Sequence, residues 1–166
     1  MKTLHKALVL GVLACALASC ESTSRTTQGR LRPSAITGTR RIANVRTTAY
    51  THTEKGGRRN AIGLRLSGAN VMSAASDWSR FPLGTRFHIV GTHDHYIIDD
   101  YGGALIGTDT IDLYKTSRSA MRQWGVRHVI IEIIEWGSKE QSLKVLNPRK
   151  KNRLIRRMIA GLEQKT

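Results

Sequence analysis

The chain contains little cysteine, and both of its cysteines lie near the start. Cys15 and Cys20 are the only two in 166 residues. Beyond residue 20 there is consequently no pair of thiols that could form a disulfide framework. Metal sites built on cysteine are excluded from that part of the chain for the same reason. A fold there has to be held together by its own hydrophobic core.

Long apolar runs are also missing. The longest covers residues 7–18, directly after the basic residues Lys2 and Lys6. A helix that crosses a bilayer needs about 20 apolar residues, so this run is too short to span one. A basic start followed by a short apolar run is typical of a secretory signal peptide. We therefore predict a signal peptide over residues 1–19 and an exported chain.

The end of the predicted signal peptide contains a second motif. Leu17-Ala18-Ser19-Cys20 resembles the bacterial lipobox. That resemblance implies cleavage before Cys20 and acylation of its thiol, and two or more acyl chains suffice for stable membrane anchoring. The alternative is an ordinary cleaved signal with an incidental cysteine. Glu21 stands where an aspartate tends to retain lipoproteins in the inner membrane, so we expect the outer membrane, facing the periplasm.

Acidic residues are few. The chain has 12 Asp and Glu against 27 Lys and Arg, a formal charge of +15. Removing Lys2 and Lys6 with the signal takes two from +15 and leaves +13. Such a charge raises the question of nucleic acid, but export argues against it. Anionic lipid head groups and the carboxylate-bearing cell wall remain as polyanionic partners. Alternatively, the charge only keeps the protein soluble.

The rest of the chain is long enough for one domain with a core. Residues 20–43 are rich in Ser, Thr, Arg and Gly and predict a flexible tether. Residues 44–137 alternate between short β-branched runs and glycine turns, which predicts a folded domain. Residues 138–166 form a basic tail that we expect to be helical.

Within the predicted domain, strands are expected at 43–51, 61–66, 70–75, 85–90, 95–100, 110–114 and 126–136. Residues 117–124 predict a single helix, with Ser117 as its N-cap and Gly125 as its stop. Many short strands with glycine turns and one short helix favour a small β-barrel. A barrel leaves no unpaired edge strand to promote aggregation.

The tail has apolar residues at helical spacing, namely Leu154, Ile155, Met158, Ile159 and Leu162. Basic residues surround them. One interpretation is a helix that lies on an anionic membrane or on the wall. The other is a helix whose apolar stripe docks on the barrel while its basic face stays in water.

Five short motifs follow one another in the predicted domain. They are Thr48-Ala49-Tyr50-Thr51, Asp77 ahead of Pro82-Leu83-Gly84-Thr85, Asp100-Tyr101-Gly102-Gly103-Ala104, Ile111-Asp112-Leu113-Tyr114 and Trp124-Gly125. Over residues 45–136 this order resembles the 3D (three-aspartate) domain of bacterial cell-wall lytic enzymes. The family includes the catalytic barrel of membrane-bound lytic transglycosylase A and the stationary-phase wall-remodelling proteins.

The resemblance implies an all-β fold, a six-stranded double-psi β-barrel with one short helix, here followed by a basic C-terminal helix. It implies a peptidoglycan lytic transglycosylase that cleaves the bond between N-acetylmuramic acid and N-acetylglucosamine and leaves a 1,6-anhydro product. Asp112 matches the catalytic acid and base, and Asp100 and Asp77 match supporting carboxylates. No cofactor is expected.

This chemistry explains why the carboxyl groups matter. The acid must protonate the leaving oxygen, and the sugar's own C6 hydroxyl can then attack, so one carboxyl group serves twice. It has to start protonated near neutral pH, and burial beside other carboxylates raises its pKa in that direction. Gly102 and Gly103 would let the sugar chain approach the backbone. Tyr50 and Trp78 are the expected aromatic contacts to substrate.

Two other functions stay open. A non-catalytic peptidoglycan- or polysaccharide-binding module of the expansin type needs no acid, and a two-aspartate glycan hydrolase needs a second carboxylate. The spacing from Asp100 to Asp112 is one residue longer than usual, which makes Asp109 a competitor for a carboxylate role. His93 and His95 lack an evident third ligand, so we expect no metal site. The expected partners are peptidoglycan strands, a membrane through the lipid and other cell-wall proteins, but no nucleic acid.

Overall fold

A computed structural model describes residues 40–54 and 56–164. The predicted signal peptide, Cys20 and most of the predicted tether lie outside these ranges. Strands run over Arg40–Tyr50 (β1), Val71–Ala75 (β2), Arg86–Ile89 (β3), His95–Asp100 (β4), Ile111–Tyr114 (β5) and Arg127–Glu135 (β6). Helices run over Arg118–Trp124 (α1), Lys139–Leu146 (α2) and Arg153–Glu163 (α3).

The six strands close into a barrel in the order β1-β5-β2-β4-β3-β6. The pairs β1–β5 and β2–β4 are parallel, and the other neighbours are antiparallel. Every strand therefore has two hydrogen-bonded neighbours, which leaves no open sheet edge. The predicted six-stranded barrel is confirmed, and the parallel pairs bring residues far apart in sequence to the same rim.

The prediction of a strand at 61–66 is wrong. These residues turn back on themselves, with a single bridge between Arg59 and Arg65 and with Gly63 at a φ of 84°. Leu64, which completed the apparent alternation, is 61% exposed. An alternating pattern predicts a strand only where one face is buried, and here Ile62 and Leu64 are exposed while only Leu66 of the alternating set is buried.

The helix predicted at 117–124 is confirmed as α1. The Ser117 hydroxyl accepts a hydrogen bond from the Ala120 amide at 3.1 Å, and Gly125, with a φ of 61°, ends the helix. The expected C-terminal helix is confirmed as α3, but α2 precedes it and was not predicted as a separate element. A 3₁₀ turn at Asn147–Arg149 separates the two, with Pro148 at its start.

Helix α3 belongs to the core of the barrel. Its residues Ile155, Met158 and Leu162 are buried and share one hydrophobic cluster with the barrel interior. The Trp78 amide donates a hydrogen bond to Met158 Sδ at 3.3 Å. The docked arrangement is therefore the correct one, and the apolar stripe is not free to enter a membrane. None of the described helices is both long and apolar enough to cross a bilayer.

Strand β1 carries a bulge near its start. The β1–β6 register shifts between Ile42 and Val45, and Ala43 and Asn44 have no partner in that ladder. Asn44 adopts a φ of 59°, which is uncommon for any residue but glycine and best tolerated by Asn, Asp and His. Bulges bend a strand and redirect its side chains, so this one changes what the beginning of β1 presents to solvent. β1 itself begins at Arg40, inside the range expected for the tether.

Candidate active site

A cleft of about 370 Å³ opens at the rim where β1, β2, β4 and β5 meet. We call it the aspartate groove. Its ionisable and aromatic lining consists of Tyr50, Glu54, Arg59, Asp100, Tyr101 and Asp112. Two of the three predicted aspartates, Asp100 and Asp112, therefore lie in one groove.

The strand register explains how these two aspartates meet. Ala75 on β2 is the Cα partner of Asp100 on β4 and also of Asp112 on β5. The two aspartates thus flank the same residue on either side of β2. Two inter-strand spacings separate their Cα atoms by about 10 Å, so both carboxyl groups can face one sugar chain in the groove.

Asp112 is held by its neighbour on β1. Thr48 Oγ1 donates a hydrogen bond to Asp112 Oδ1 at 2.6 Å. Burial raises the pKa of Asp112, and the charge of Glu54 raises it further, while the Thr48 hydrogen bond and Arg46 lower it. Thr48 is the one hydrogen-bond partner of this carboxyl group among the described residues. Asp112 is thus partly buried and oriented through Oδ1.

Asp100 is more strongly perturbed. Burial raises its pKa to about 6, the charge of Asp99 adds to this increase, and the hydrogen bond from the Tyr101 amide opposes it. That amide donates to Oδ1 at 2.9 Å, and the Tyr50 hydroxyl donates to Oδ2 at 3.4 Å. Both oxygens of Asp100 are therefore occupied. The groove holds two carboxyl groups whose protons are retained to higher pH than usual.

Asp99 does not line the groove, but its charge raises the pKa of Asp100. The sequence analysis missed this residue. The β2–β4 register shifts between Ala74 and Ala75, so Asp99 is the extra residue on β4. Its side chain is buried, and its Oδ2 accepts hydrogen bonds from Asn60 Nδ2 at 2.8 Å and Ser73 Oγ at 2.7 Å. Burial raises its pKa too. The Asp99-Asp100 doublet at a strand end was the available signal.

Asp77 does not line the groove, contrary to the expectation that it supports catalysis there. It is 2% exposed, and its two oxygens accept hydrogen bonds from backbone amides, Ser79 at 2.8 Å and Gly107 at 2.6 Å. The amides of Arg80 and Phe81 donate to its carbonyl oxygen. Asp77 therefore fastens the turn after β2 to the loop before β5.

Trp78 cannot stack on a sugar, because it is fully buried. Its indole Nε1 donates a hydrogen bond to the carbonyl oxygen of Asp100 at 2.9 Å, so it fixes the backbone that carries the aspartate. Tyr101 packs edge-on against it with ring centroids 5.2 Å apart. Tyr101 lines the groove, so it presents an aromatic side chain there, as Tyr50 does.

The other predicted substrate contacts lie in the groove. Tyr50 lines it and donates to Asp100, as described above. Gly102 and Gly103 also line it. A Cβ atom at Gly103 would come within 3.2 Å of Leu154 Cδ1 on α3. Leu154 is 40% exposed and Cδ1 is the end of its flexible side chain, so this contact alone does not require a glycine.

Glu54 is a further groove residue that the sequence analysis missed. It is exposed, follows β1 and lines the same cleft as Asp112, whose pKa its charge raises. Its position four residues beyond Tyr50 was the only sequence signal. The groove is therefore lined by three carboxyl groups, those of Glu54, Asp100 and Asp112, and Asp77 is not among them.

The histidines lie elsewhere. His52 Nδ1 is 3.0 Å from the Tyr114 hydroxyl, and the rings of His88 and His95 are 5.6 Å apart. Within residues 40–54 and 56–164, no group of three His, Cys, Asp or Glu residues is arranged to hold a metal ion.

Fold and groove together define a small closed β-barrel with paired carboxyl groups in one rim cleft. Residues 72–135 match the family model of the 3D domain. The match extends over Asp77, Asp100 and Asp112. A 3D domain is consistent with action on cell-wall glycan. No curated protein matches the chain.

Proposed function

We propose that this protein is a peptidoglycan lytic transglycosylase in which Asp112 acts as both acid and base. The observation that carries the proposal is the placement of Asp112. It lies in the aspartate groove, its pKa is raised by burial and by Glu54, and Thr48 orients it through one oxygen. A general acid needs such a raised pKa to hold its proton near neutral pH.

The reaction uses this single carboxyl group twice. Protonated Asp112 gives its proton to the oxygen that links muramic acid C1 to glucosamine, and the C1–O bond breaks with the electron pair going to that oxygen. Asp112, now a carboxylate, takes the proton of the muramic acid C6 hydroxyl as O6 bonds to C1. The products are a glucosamine end and a 1,6-anhydromuramic acid end, and Asp112 is protonated again.

Asp100 supports this cycle without exchanging the proton. Its larger pKa increase would also suit an acid, but both of its oxygens already accept hydrogen bonds from Tyr50 and from the Tyr101 amide. We assign it to binding sugar hydroxyls of the strand in the groove.

A second candidate, glycan hydrolysis, is favoured by Glu54. Hydrolysis needs a second carboxylate that activates water or attacks the sugar. Glu54 lines the same groove as Asp112 and is exposed to water. In this case the product would carry a reducing end, because water replaces the C6 hydroxyl as the nucleophile.

We further propose that the protein acts at the cell envelope, anchored through acylated Cys20 in the outer membrane and facing the periplasm. A flexible tether of about 20 residues spans on the order of 25 Å. The domain would thus reach glycan strands next to its membrane, where other wall proteins could also be partners. The basic charge would favour the anionic wall.

The test is digestion of purified sacculi followed by mass analysis of the soluble products. Anhydromuramoyl ends are expected for a lytic transglycosylase, whereas reducing ends would assign hydrolysis. Sacculus binding without any product would contradict both enzymatic functions and leave the binding module. The full chain in detergent is the appropriate sample, with the Asp112→Asn variant as the inactive reference.

A further inference from the structure

A second cleft, which we call the tryptophan cleft, opens beside the β1 bulge. Its volume is about 410 Å³, and it shares no lining residue with the aspartate groove. Trp136 and Phe81 form one wall, their rings nearly parallel at 7° and 6.4 Å apart. Phe81 is buried, whereas Trp136 is 46% exposed. A flat, supported and solvent-facing indole is thus available to a ligand.

Polar groups surround this indole. Arg80 Nε lies 2.9 Å from Asp109 Oδ1, an ion pair that holds both side chains at the cleft. Arg40 and Asn44 line the opposite side, and the bulge leaves Ala43 and Asn44 outside the strand ladder. Strained backbone at a non-glycine residue is found preferentially at functional sites. An aromatic face bordered by hydrogen-bonding side chains suits a pyranose ring, whose faces are apolar and whose edge carries hydroxyls.

The two clefts lie along the same strand. Val45 and Thr47 point into the barrel, so Arg46 and Thr48 point outwards between the clefts. Arg46 donates to Thr110 Oγ1 at 3.3 Å, and Thr48 donates to Asp112. From Asn44 to Thr48 the strand rises about 13 Å. A polar track therefore runs from the tryptophan cleft to the aspartate groove.

We infer that the tryptophan cleft binds a distal part of the same glycan strand whose bond is cleaved in the aspartate groove. This inference rests on the proposed function. The occupant is a polysaccharide of amino sugars that carries carboxylate substituents. Its rings stack on Trp136, and its carboxylates face the exposed side chains of Arg40 and Arg46. The protein would then prefer long strands to short ones.

The test compares binding of long and short ligands. Peptide-free peptidoglycan glycan strands, fractionated by length, are titrated into the full chain in detergent with a chitin tetrasaccharide as the short probe. All proteins carry Asp112→Asn, so that no cleavage occurs during the measurement. The variants are Trp136→Ala, the conservative Trp136→Phe, and Ile130→Ala as a matched control, since Ile130 is 44% exposed on β6, the strand that ends just before Trp136.

We expect Trp136→Ala to weaken binding of long strands about tenfold, the typical loss for a truncated aromatic anchor. Binding of the tetrasaccharide should change less than about twofold, and Trp136→Phe should restore most of the long-strand affinity. An equal loss for both lengths, or no loss for long strands, would overturn the inference. Long-strand binding that depends on Trp136 without cleavage by the wild type would sink only the proposed activity.

Discussion

Thr48 and Asp112 are register partners on the parallel strands β1 and β5, and their side chains are joined by a hydrogen bond of 2.6 Å. Strand pairing alone thus brings a hydroxyl donor from near the start of the domain to the proposed acid. The donor favours the charged carboxylate, whereas burial and Glu54 favour the protonated form. The pKa of Asp112 therefore depends on the side chain at position 48 of β1.

Replacing Thr48 should shift the pH dependence of the reaction. Thr48→Val removes a donor to the carboxylate, so the pKa of Asp112 should rise. The alkaline limb of the activity profile, where Asp112 loses its proton, should move to higher pH. Thr48→Ser keeps the hydroxyl and should keep the wild-type limb. A Thr48→Val profile identical to that of the wild type would separate Thr48 from the acid.

Replacing Asp112 should abolish cleavage without unfolding the protein. General acid–base catalysis contributes about 10²- to 10⁴-fold, so Asp112→Asn should lose at least about 100-fold in the rate of sacculus solubilisation. Asp94→Asn, in the turn between β3 and β4, is the matched control and should retain activity. If Asp100→Asn is inactive while Asp112→Asn still cleaves, the acid is Asp100.

Asp100 should make stability depend on pH. Its folded pKa of about 6 lies above the ordinary value of 3.8. Between these pH values the folded state keeps a proton that the unfolded state has lost. The contribution of Asp100 to folding stability is therefore fully present below pH 4 and decreases as the pH rises towards 6. Above pH 6 it does not change further.

The substitution Asp100→Asn removes this pH-dependent decrease in folding stability. Relative to the wild type, its free energy of unfolding should rise by about 2 kcal/mol between pH 4 and pH 7. Urea unfolding at the two pH values measures the difference, and Asp94→Asn again serves as the control. A difference that is the same at both pH values would mean that Asp100 titrates normally in the folded protein.

Asp77 should be important for stability. Its carboxylate accepts two buried amide hydrogen bonds, and an asparagine can accept only one of them while its NH₂ opposes the other amide. We expect Asp77→Asn to lower the free energy of unfolding by about 1–3 kcal/mol. Asp109→Asn, at an exposed position on the same surface, should cost less than about 1 kcal/mol. Equal melting temperatures for the two variants would contradict the proposal that Asp77 stabilises the fold by joining the turn after β2 to the loop before β5.

Met158 should be equally important, although it lies outside the barrel strands. It is fully buried and accepts the Trp78 amide, so Met158→Ala should cost about 2–5 kcal/mol. Leu154→Ala, on the same helix but 40% exposed, should cost about 1 kcal/mol or less. Thermal unfolding of both variants measures the difference. Equal losses would mean that α3 is not part of the core.

The sequence was sufficient for the barrel because strand-forming residues and glycine turns alternate in it, and because the motifs fall in the order of the 3D domain. The resemblance to the 3D domain also singled out Asp100 and Asp112, which lie in one groove, while their catalytic roles stay a prediction. The sequence failed for residues 61–66, where an alternating pattern lies on the surface and no neighbouring strand completes it.

The roles of Asp77 and Trp78 could not be read from the sequence because both depend on distant contacts. Asp77 is fixed by the Gly107 amide, thirty residues away, and Trp78 is covered by α3, eighty residues away. Glu54 was missed for the same reason, since only the parallel pairing of β1 with β5 brings it near Asp112. Local patterns predict which face a residue takes, but not what packs against that face.

The docking of α3 on Trp78 has a consequence for how the protein is made. Residues 153–163 are synthesised after every strand of the barrel, and they cover an apolar surface that would otherwise remain open. A copy that stops before residue 153 leaves this surface in water, where exposed apolar patches promote aggregation and unfolded chains are removed by proteases. A copy truncated before residue 153 is therefore expected to be less soluble and more readily degraded than one that contains α3.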